Sequence, residues 1–325
     1  MIVTARAHTN IALIKYWGKR DQQLILPQTD SLSLTLDPFY TDTSVNFSPS
    51  YDHDQFSINN TPVSSKTARR LTAFLNIVRR QAGISQAARV QSINHVPTAA
   101  GLASSASAFA ALALAASRAA GLNLSRRDLS RLARRGSGSA TRSIYGGLVQ
   151  WHRGHDDQTS YAEPIMEKVD FGLEMIAILL DTHQKKLSSR IGMQEVVATS
   201  PFYPSWRNVV KNDIKNIKNA IAARDIDRIG HIAQENALRM HALNLAADPG
   251  FTYFNADTLA TMDLIDHLRD TGLSCYYTMD AGPNVKVIYD RRNRQALLTE
   301  LSKHFAAKQL VLAQAGPGAT ILKNE

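Results

Sequence analysis

The chain reads as an α+β protein of two domains, and three observations carry that reading. Leu32, Leu34 and Leu36 alternate with Ser31, Ser33 and Thr35, the period-two pattern of a half-buried strand. Farther on, Val210, Ile214, Ile217 and Ile221 follow helical spacing, so both periods occur in one chain. At 325 residues the chain is about twice the length of a common single domain.

Taken in order, the elements follow from local chemistry. Asp37-Pro38 predicts a turn between the alternating strand and a β-rich segment, 41–47. Leu71, Phe74, Leu75 and Val78 mark one face of a helix, with Ser64 or Ser65 as its cap and Gly83 just past its end. The alanine-rich segment 103–120 is a strong helix former that Gly121 stops. Ser125 and Asp128 have capping-box spacing and open a helix that Gly136 closes. Strands are expected at 148–151, after Gly146 and Gly147, and at 175–180, a continuous apolar run suited to burial on both faces. Helical patterns dominate 205–243 and recur at 257–270. Strands at 273–278 and 285–289, a helix at 292–305 and a closing strand pair at 310–313 and 319–322 complete the chain. Composition shifts near 181–190, which predicts domains at 1–183 and 184–325.

Composition narrows the function. Apolar residues make up 44% and charged residues 20%, which excludes a disordered or collagen-like chain. The single cysteine, Cys275, excludes an intrachain disulfide and suits a reducing compartment; its apolar strand context predicts a core position. The most apolar stretch, 106–116, falls short of the roughly 18 residues of a membrane span, and the first residues lack a signal-peptide layout. A soluble cytoplasmic protein that engages no membrane is therefore expected. Lys and Arg total 37 against 28 Asp and Glu, a balance of +9 that suits an anionic partner, whether phosphate ester or nucleic acid.

Five segments carry candidate chemistry. Residues 97–106, PTAAGLASSA, form a small-residue loop entering the alanine-rich helix. Small side chains let a phosphate approach the backbone, and a helix N-terminus offers unpaired N–H groups. Ser104 and Ser105 add hydroxyls for phosphate oxygens or Mg²⁺, although a serine-capped turn accounts for the same residues. Residues 10–20, NIALIKYWGKR, place three cations and two aromatics within six positions, as a polyanion site or as a solvated edge with a buried Trp. Gly136–Gly147 combines glycines, hydroxyls and Arg142 in an anion cradle or a linker. Lys185, Lys186, Ser188, Ser189, Arg190 and Met193 form a basic helix start. Asp280-Ala-Gly-Pro-Asn284 is a turn holding a carboxylate between two strands. Neither a Walker loop nor a dinucleotide GxGxxG motif occurs, and His152 and His155 lack partners at zinc-like spacing.

In this order the five segments resemble one family. PTAAGLASSA is similar to the ATP loop of the GHMP kinase superfamily. NIALIKYWGKR, SGSATRS, SSRIGM and DAGPN together resemble the diphosphomevalonate decarboxylases within it. The resemblance implies the two-domain GHMP kinase fold, with a first domain like ribosomal protein S5 domain 2 and a ferredoxin-like second domain. It implies a carboxy-lyase of isoprenoid biosynthesis that couples ATP, with Mg²⁺, to decarboxylation of mevalonate 5-diphosphate. The products would be isopentenyl diphosphate, ADP, phosphate and CO₂. By the same match Asp280 is the acidic group at the C3 hydroxyl, with Lys15 beside it. Tyr16, Lys19, Ser137, Ser139, Arg142, Ser189, Arg190 and Met193 would line the mevalonate diphosphate site. Ser92, Asn94, Pro97, Ala100, Gly101, Leu102, Ala103, Ser104 and Ser105 would belong to the nucleotide site, with Ser105 as the candidate Mg²⁺ contact. Family members are usually homodimeric. Asp30 stands where many members carry small polar residues, and a carboxylate there is tolerable near a polyanion only if it points away.

Two other readings compete. A relative acting on mevalonate or phosphomevalonate would share most of these motifs. An RNA-binding protein would explain Arg127, Arg131, Arg134 and Arg135, a basic stripe on one expected helix. Such runs are usually solvated faces, and no aromatic-rich RNA-binding motif accompanies this one, so no nucleic-acid partner is expected.

Overall fold

The computed structural model describes residues 1–95, 104–181 and 187–324. The chain opens with β1 (Ile2–Ile14), the short strands β2 (Lys19–Asp21) and β3 (Leu26–Pro27), and the long β4 (Ser31–Ser48). Strands β5 (Gln55–Ile58) and β6 (Thr61–Pro62), helix α1 (Ser65–Ala82) and β7 (Ala87–His95) follow. Then come α2 (Ser104–Ala119), α3 (Arg126–Gly136), a 3-10 helix (Gly138–Ile144), β8 (Leu148–Trp151), β9 (Ala162–Met166) and β10 (Leu173–Ile178). The remainder holds α4 (Ser189–Thr199), α5 (Tyr203–Ala222), α6 (Ile226–Leu245) and α7 (Ala256–Asp270). Strands β11 (Cys275–Met279) and β12 (Val285–Asp290), α8 (Arg294–Leu301), β13 (Leu310–Ala313) and β14 (Thr320–Asn324) end it.

Two sheets organise these elements. The first runs β14-β1-β4-β7-β5-β6, with β8 on β4 and β9 on β8. Its β1, β4 and β7 bury Val3, Ala5, Val45 and Val90 under α1, α2 and α3. The alanines of α2 explain how that helix lies close: Ala110, Ala111, Ala113, Ala115 and Ala116 are fully buried, and their small side chains hold no helix-backbone contact at a distance. The second sheet runs β11-β12-β10-β13, all antiparallel. Along β10, Ile176 and Ile178 face α7 and α8, whereas Met175 and Ala177 face the other way. Burial on both faces is why this strand reads as an unbroken apolar run.

A third core joins the two sheets. Ile11, Leu13, Leu32, Leu34 and Leu36 of the first sheet pack with Met175, Ala177 and Ile288 of the second and with Val210, Ile217, Ile229 and Met240 of α5 and α6. The end of β1 is thereby fixed against the second sheet, which decides where the cation-rich loop after it lies.

The structure departs from the expected elements in four places. Asp37-Pro38 marks a bulge and not a reversal: β4 continues through it, and its pairing with β1 jumps from His8↔Tyr40 to Asn10↔Thr35. There Asp37 exchanges hydrogen bonds with Gln314, its N–H to the Gln314 carbonyl and its carboxylate from the Gln314 N–H. The helical region 205–243 is two helices, separated where Arg224 takes a φ of 56° and Asp225 caps α6. The closing strands do not pair with each other: β13 joins β10, and β14 crosses back to β1. A division at 183/184 leaves β10 with the elements before it, although its pairing is with β12 and β13, which follow.

Gly18 shows how tightly the exit from β1 is held. Its φ is 122°, and a Cβ there would lie 1.9 Å from the Tyr203 hydroxyl oxygen, which donates to the Trp17 carbonyl at 2.7 Å. Gly18→Ala is expected to lower unfolding free energy by about 1–3 kcal/mol through overpacking and backbone strain, measurable by denaturant titration.

Candidate active site

The β11–β12 turn carries Asp280 toward the end of β1. Three contacts fix the turn: Gly282 N–H donates to the Asp280 carbonyl at 2.8 Å, Thr258 Oγ1 to the Pro283 carbonyl at 2.8 Å, and Leu180 N–H to Asn284 Oδ1 at 2.7 Å. On the facing side the Lys15 N–H donates to Asn236 Oδ1 at 2.8 Å, and Asn236 is itself held by Asp213. Lys15 Nζ then donates to Asp280 Oδ1 at 2.8 Å and to the Ala12 carbonyl at 2.8 Å. A second ammonium, Lys286 Nζ, lies 3.6 Å from Asp280 Oδ2. The lysines are 2% and 1% exposed and the aspartate 22%, so of the three side chains only the aspartate is partly exposed. Burial lowers the pKa of both lysines, and Asp280 works against that fall.

Arg142 lies behind this pair in the 3-10 helix. Its Nε donates to Ser33 Oγ at 2.9 Å, its Nη2 to Asn10 Oδ1 at 3.1 Å, and its Nη1 to Ser31 Oγ. Burial brings its pKa down to about 10, with Asp280 and Tyr16 acting the other way. Tyr16 packs its ring 4.8 Å from that of Trp151 and closely over Gly138, where a Cβ would lie 2.7 Å from the ring. Among the described residues its buried hydroxyl has no hydrogen-bond partner. Ser137 Oγ bridges Ser139 Oγ at 3.3 Å and Ser105 Oγ at 3.2 Å, so the glycine-serine segment and the start of α2 meet.

A second group of cations surrounds Lys19. Burial, then Arg190 and Arg70, push its pKa down to about 8. Arg70 is lowered to about 10 by burial and then Arg190, while its Nη2 donates to the Gly136 carbonyl at 2.5 Å. Arg190 is exposed near the start of α4, with Ser189 and Met193 half-buried beside it and Ser188 as the helix cap. Like charges held together in a partly dry place favour a polyanion. Arg20 is not part of this group: it donates to the carbonyls of Gly154 and Arg153.

Of the residues expected at the nucleotide site, Ser104 and Ser105 are exposed at the start of α2. Ser92 and Asn94 lie on β7 and bond Thr43 and Thr41 of β4; Thr41 Oγ1 in turn meets Ser107 of α2 at 2.8 Å. Asn94, Thr41 and Ser107 thus form one polar chain from β7 through β4 to α2. Pro97, Ala100, Gly101, Leu102, Ala103, Lys185 and Lys186 lie outside the described residues. Asp30 accepts from Gln150 Nε2 at 2.9 Å and Arg153 N–H at 2.8 Å, which ties its carboxylate to β8 and the segment after it.

Residues 7–162 match the diphosphomevalonate decarboxylase-like N-terminal domain, and residues 175–320 match the mevalonate 5-diphosphate decarboxylase C-terminal domain. The chain belongs to the diphosphomevalonate decarboxylase family. Diphosphomevalonate decarboxylase from Candida albicans is 34% identical over 315 residues, 92% of this chain and 87% of that one. A solved mevalonate diphosphate decarboxylase from Enterococcus faecalis is 50% identical, with a TM-score of 0.94 over 100% of this chain and 99% of that one. A further solved relative, with the same identity, TM-score and coverage, is a complex with MVAPP, AMPPCP and magnesium. The fold is the two-domain α+β GHMP kinase arrangement of these decarboxylases.

Within the family frame, sequence reasoning passed over Lys286, Asn236, Arg70 and His241. Lys286 had a signal, a lone cation in the apolar run Val285-Lys-Val-Ile288. Asn236 and His241 depend on α6, which only the fold brings to β1, and Arg70 on α1, which the fold lays against α2 and α3. His241 is buried on α6, its ring 4.3 Å from that of Phe254. Burial, then Lys15, push its pKa from 6.5 down to about 3. The unfolded chain therefore binds the proton more readily, so this contribution is complete above the unfolded value and is lost as pH falls toward the folded one. His241→Phe is expected to remove a loss of up to about 1.4 kcal/mol per pH unit below about pH 6.5. Urea unfolding of both proteins at pH 7 and pH 5.5 checks this.

Proposed function

We propose that this chain catalyses ATP-dependent decarboxylation of mevalonate 5-diphosphate to isopentenyl diphosphate, releasing ADP, phosphate and CO₂, in isoprenoid biosynthesis. The observation that carries the reading is the Asp280 side chain, partly exposed and held between Lys15 and Lys286 in a member of this family. Asp280 accepts or orients the proton of the C3 hydroxyl as that oxygen takes the γ-phosphoryl group. The C3–O bond then breaks with phosphate leaving. The C1–C2 bonding pair becomes the C2=C3 double bond, and C1 leaves as CO₂. Lys15 and Arg142 supply positive charge where the phosphate and carboxylate negative charges crowd together.

The remaining roles are part of the proposal. Lys19 and Arg190, joined by Arg70, take the diphosphate, while Tyr16, Ser137, Ser139, Ser189 and Met193 line the rest of the substrate site. Ser92, Asn94, Ser104 and Ser105 serve the nucleotide together with Pro97, Ala100, Gly101, Leu102 and Ala103. The described residues hold no cluster of three His, Cys, Asp or Glu able to bind a metal. That chemistry fits Mg²⁺ carried on nucleotide phosphates, with the exposed Ser105 hydroxyl as a protein contact. When bound, Mg²⁺ offsets phosphate charge. We further propose a cytoplasmic homodimer; no helix among the described residues is long and apolar enough to cross a membrane. Light scattering on the purified protein tests the dimer.

Incubation with ATP, Mg²⁺ and, separately, mevalonate, phosphomevalonate and mevalonate diphosphate tests the reaction; only the last should yield CO₂ and isopentenyl diphosphate. Asp280→Asn removes the proton acceptor, so kcat should fall by about 10²-fold or more while KM changes little. Near-normal kcat with a raised KM would make Asp280 a binding residue. Asp280→Asn also leaves two buried ammoniums facing an amide, so folding is checked by thermal unfolding before kinetics.

A second expectation comes from Lys19. A bound diphosphate raises the pKa of a lysine that stands at about 8 in the free protein. At pH 8 mevalonate diphosphate binding should therefore include proton uptake by Lys19. Calorimetry in buffers of different ionisation enthalpy measures it, and Lys19→Gln should take up fewer protons than the unaltered protein.

A further inference from the structure

We propose that Lys286 is a positioning residue for Asp280, the second of two opposed ammoniums that fix its carboxylate in the reacting orientation. The inference rests on the reading above that Asp280 acts at the C3 hydroxyl.

The strand pattern places Lys286 where it can do this. Val285, Val287 and Tyr289 of β12 face the core under α7 and α8. Alternation turns Lys286 to the opposite face with Ile288, which packs into the core between the sheets. Lys286 Nζ donates to the Asn284 carbonyl at 3.1 Å, which aims it back along its own hairpin, and it lies 3.6 Å from Asp280 Oδ2. Lys15 meets Oδ1 at 2.8 Å from just past the end of β1. The two carboxylate oxygens are thus met by different cations from different sheets, so rotation of the carboxylate weakens at least one ion pair.

A purely packing role does not account for a lysine here. Taking an ammonium out of water costs several kcal/mol, and an apolar side chain of similar volume would fill the space without that cost. The groups that face Asp280 are Lys15 from just past β1, Lys286 from β12, Arg142 from the 3-10 helix and His241 from α6. Among them Lys286 is the one mounted on the same hairpin as the carboxylate. It therefore holds Asp280 whether or not the two sheets shift slightly as substrates enter.

Lys286→Gln keeps a donor for the Asn284 carbonyl and drops the charge. With saturating ATP, we expect kcat to fall about tenfold while KM for mevalonate diphosphate changes less than about twofold. With one cation fewer, the Asp280 anion is less favoured, so the acidic limb of the kcat–pH profile should move up by about half to one pH unit. Lys286→Arg, which retains the charge, should keep the limb at its original position. A folded Lys286→Gln with unchanged kcat and limb, or with only KM raised, overturns the proposal. If Lys286→Gln does not fold, Lys286→Met is read the same way, and an upward limb in Lys286→Arg also overturns it. If the unaltered protein releases no CO₂ from mevalonate diphosphate, the functional reading itself fails and this inference falls with it. Turnover by the unaltered protein with an unaffected variant removes this inference alone.

Discussion

One carboxylate among three buried or nearly buried cations sets the terms for this protein. Asp280 offsets part of the charge of Lys15, Lys286 and Arg142, and the surplus stays in a place from which water is largely excluded. Such a surplus costs folding free energy, visible in the lowered pKa of each cation, and it lessens when an anion arrives. A substrate bearing a carboxylate and gaining a phosphoryl group is the kind of ligand that relieves it. The same low-dielectric surroundings strengthen each interaction with charge that develops during the reaction.

The fold's task is to keep that arrangement from relaxing. Lys15 sits at the end of β1, where Asn236 of α6 holds its backbone, and Trp17 Nε1 donates to Asn244 of the same helix at 2.9 Å. Asp280 sits on a hairpin tied to α7 through Thr258 and to the end of β10 through Asn284. The two mounts come from different sheets, and the core made by β1, β4, α5, α6 and β10 is what spaces them. Packing at crystal-like density resists small shifts, so a core with no charge of its own governs the distance of an ion pair.

Much of this was legible because local chemistry and tertiary structure agree. The capped helices α1 and α3, the strand β8 and the alanine-rich α2 lie within a residue or two of their expected bounds. Lys15, Asp280 and Arg142 were found as motifs, and the structure brings them together, while the serines around Gly138 meet Ser105. Cys275 is buried, as its strand context predicted, and burial pushes its thiol up to about 12. What stayed hidden depends on long-range pairing. Asp37-Pro38 looks like a turn, yet β4 is kept continuous by neighbours on both sides. Nothing local in Thr320–Asn324 says that it returns to β1, because an edge strand chooses its partner by geometry set elsewhere. Asn236 and His241 are ordinary helix residues until α6 is laid against β1.

The distribution of cations, more than the net charge of +9, is what points to function. One class is neutralised at close range. Arg79 is held by Asp54, Arg131 and Arg134 by Asp157, and Arg291 and Arg294 by Glu174. The stripe that suggested RNA binding belongs largely to this class, since Arg134 is buried on Asp157 and Arg127 lies over the Tyr161 ring. The other class repels itself. Lys19 feels Arg70 and Arg190, and its lowered pKa records both that repulsion and its burial. A structural arginine gains from its carboxylate at once, whereas a binding cation is held at a cost until its anion comes. Sorting cations by whether the fold already answers their charge separates Arg79, Arg291 and Arg294 from Lys19, Arg70 and Arg190, which lie near one another.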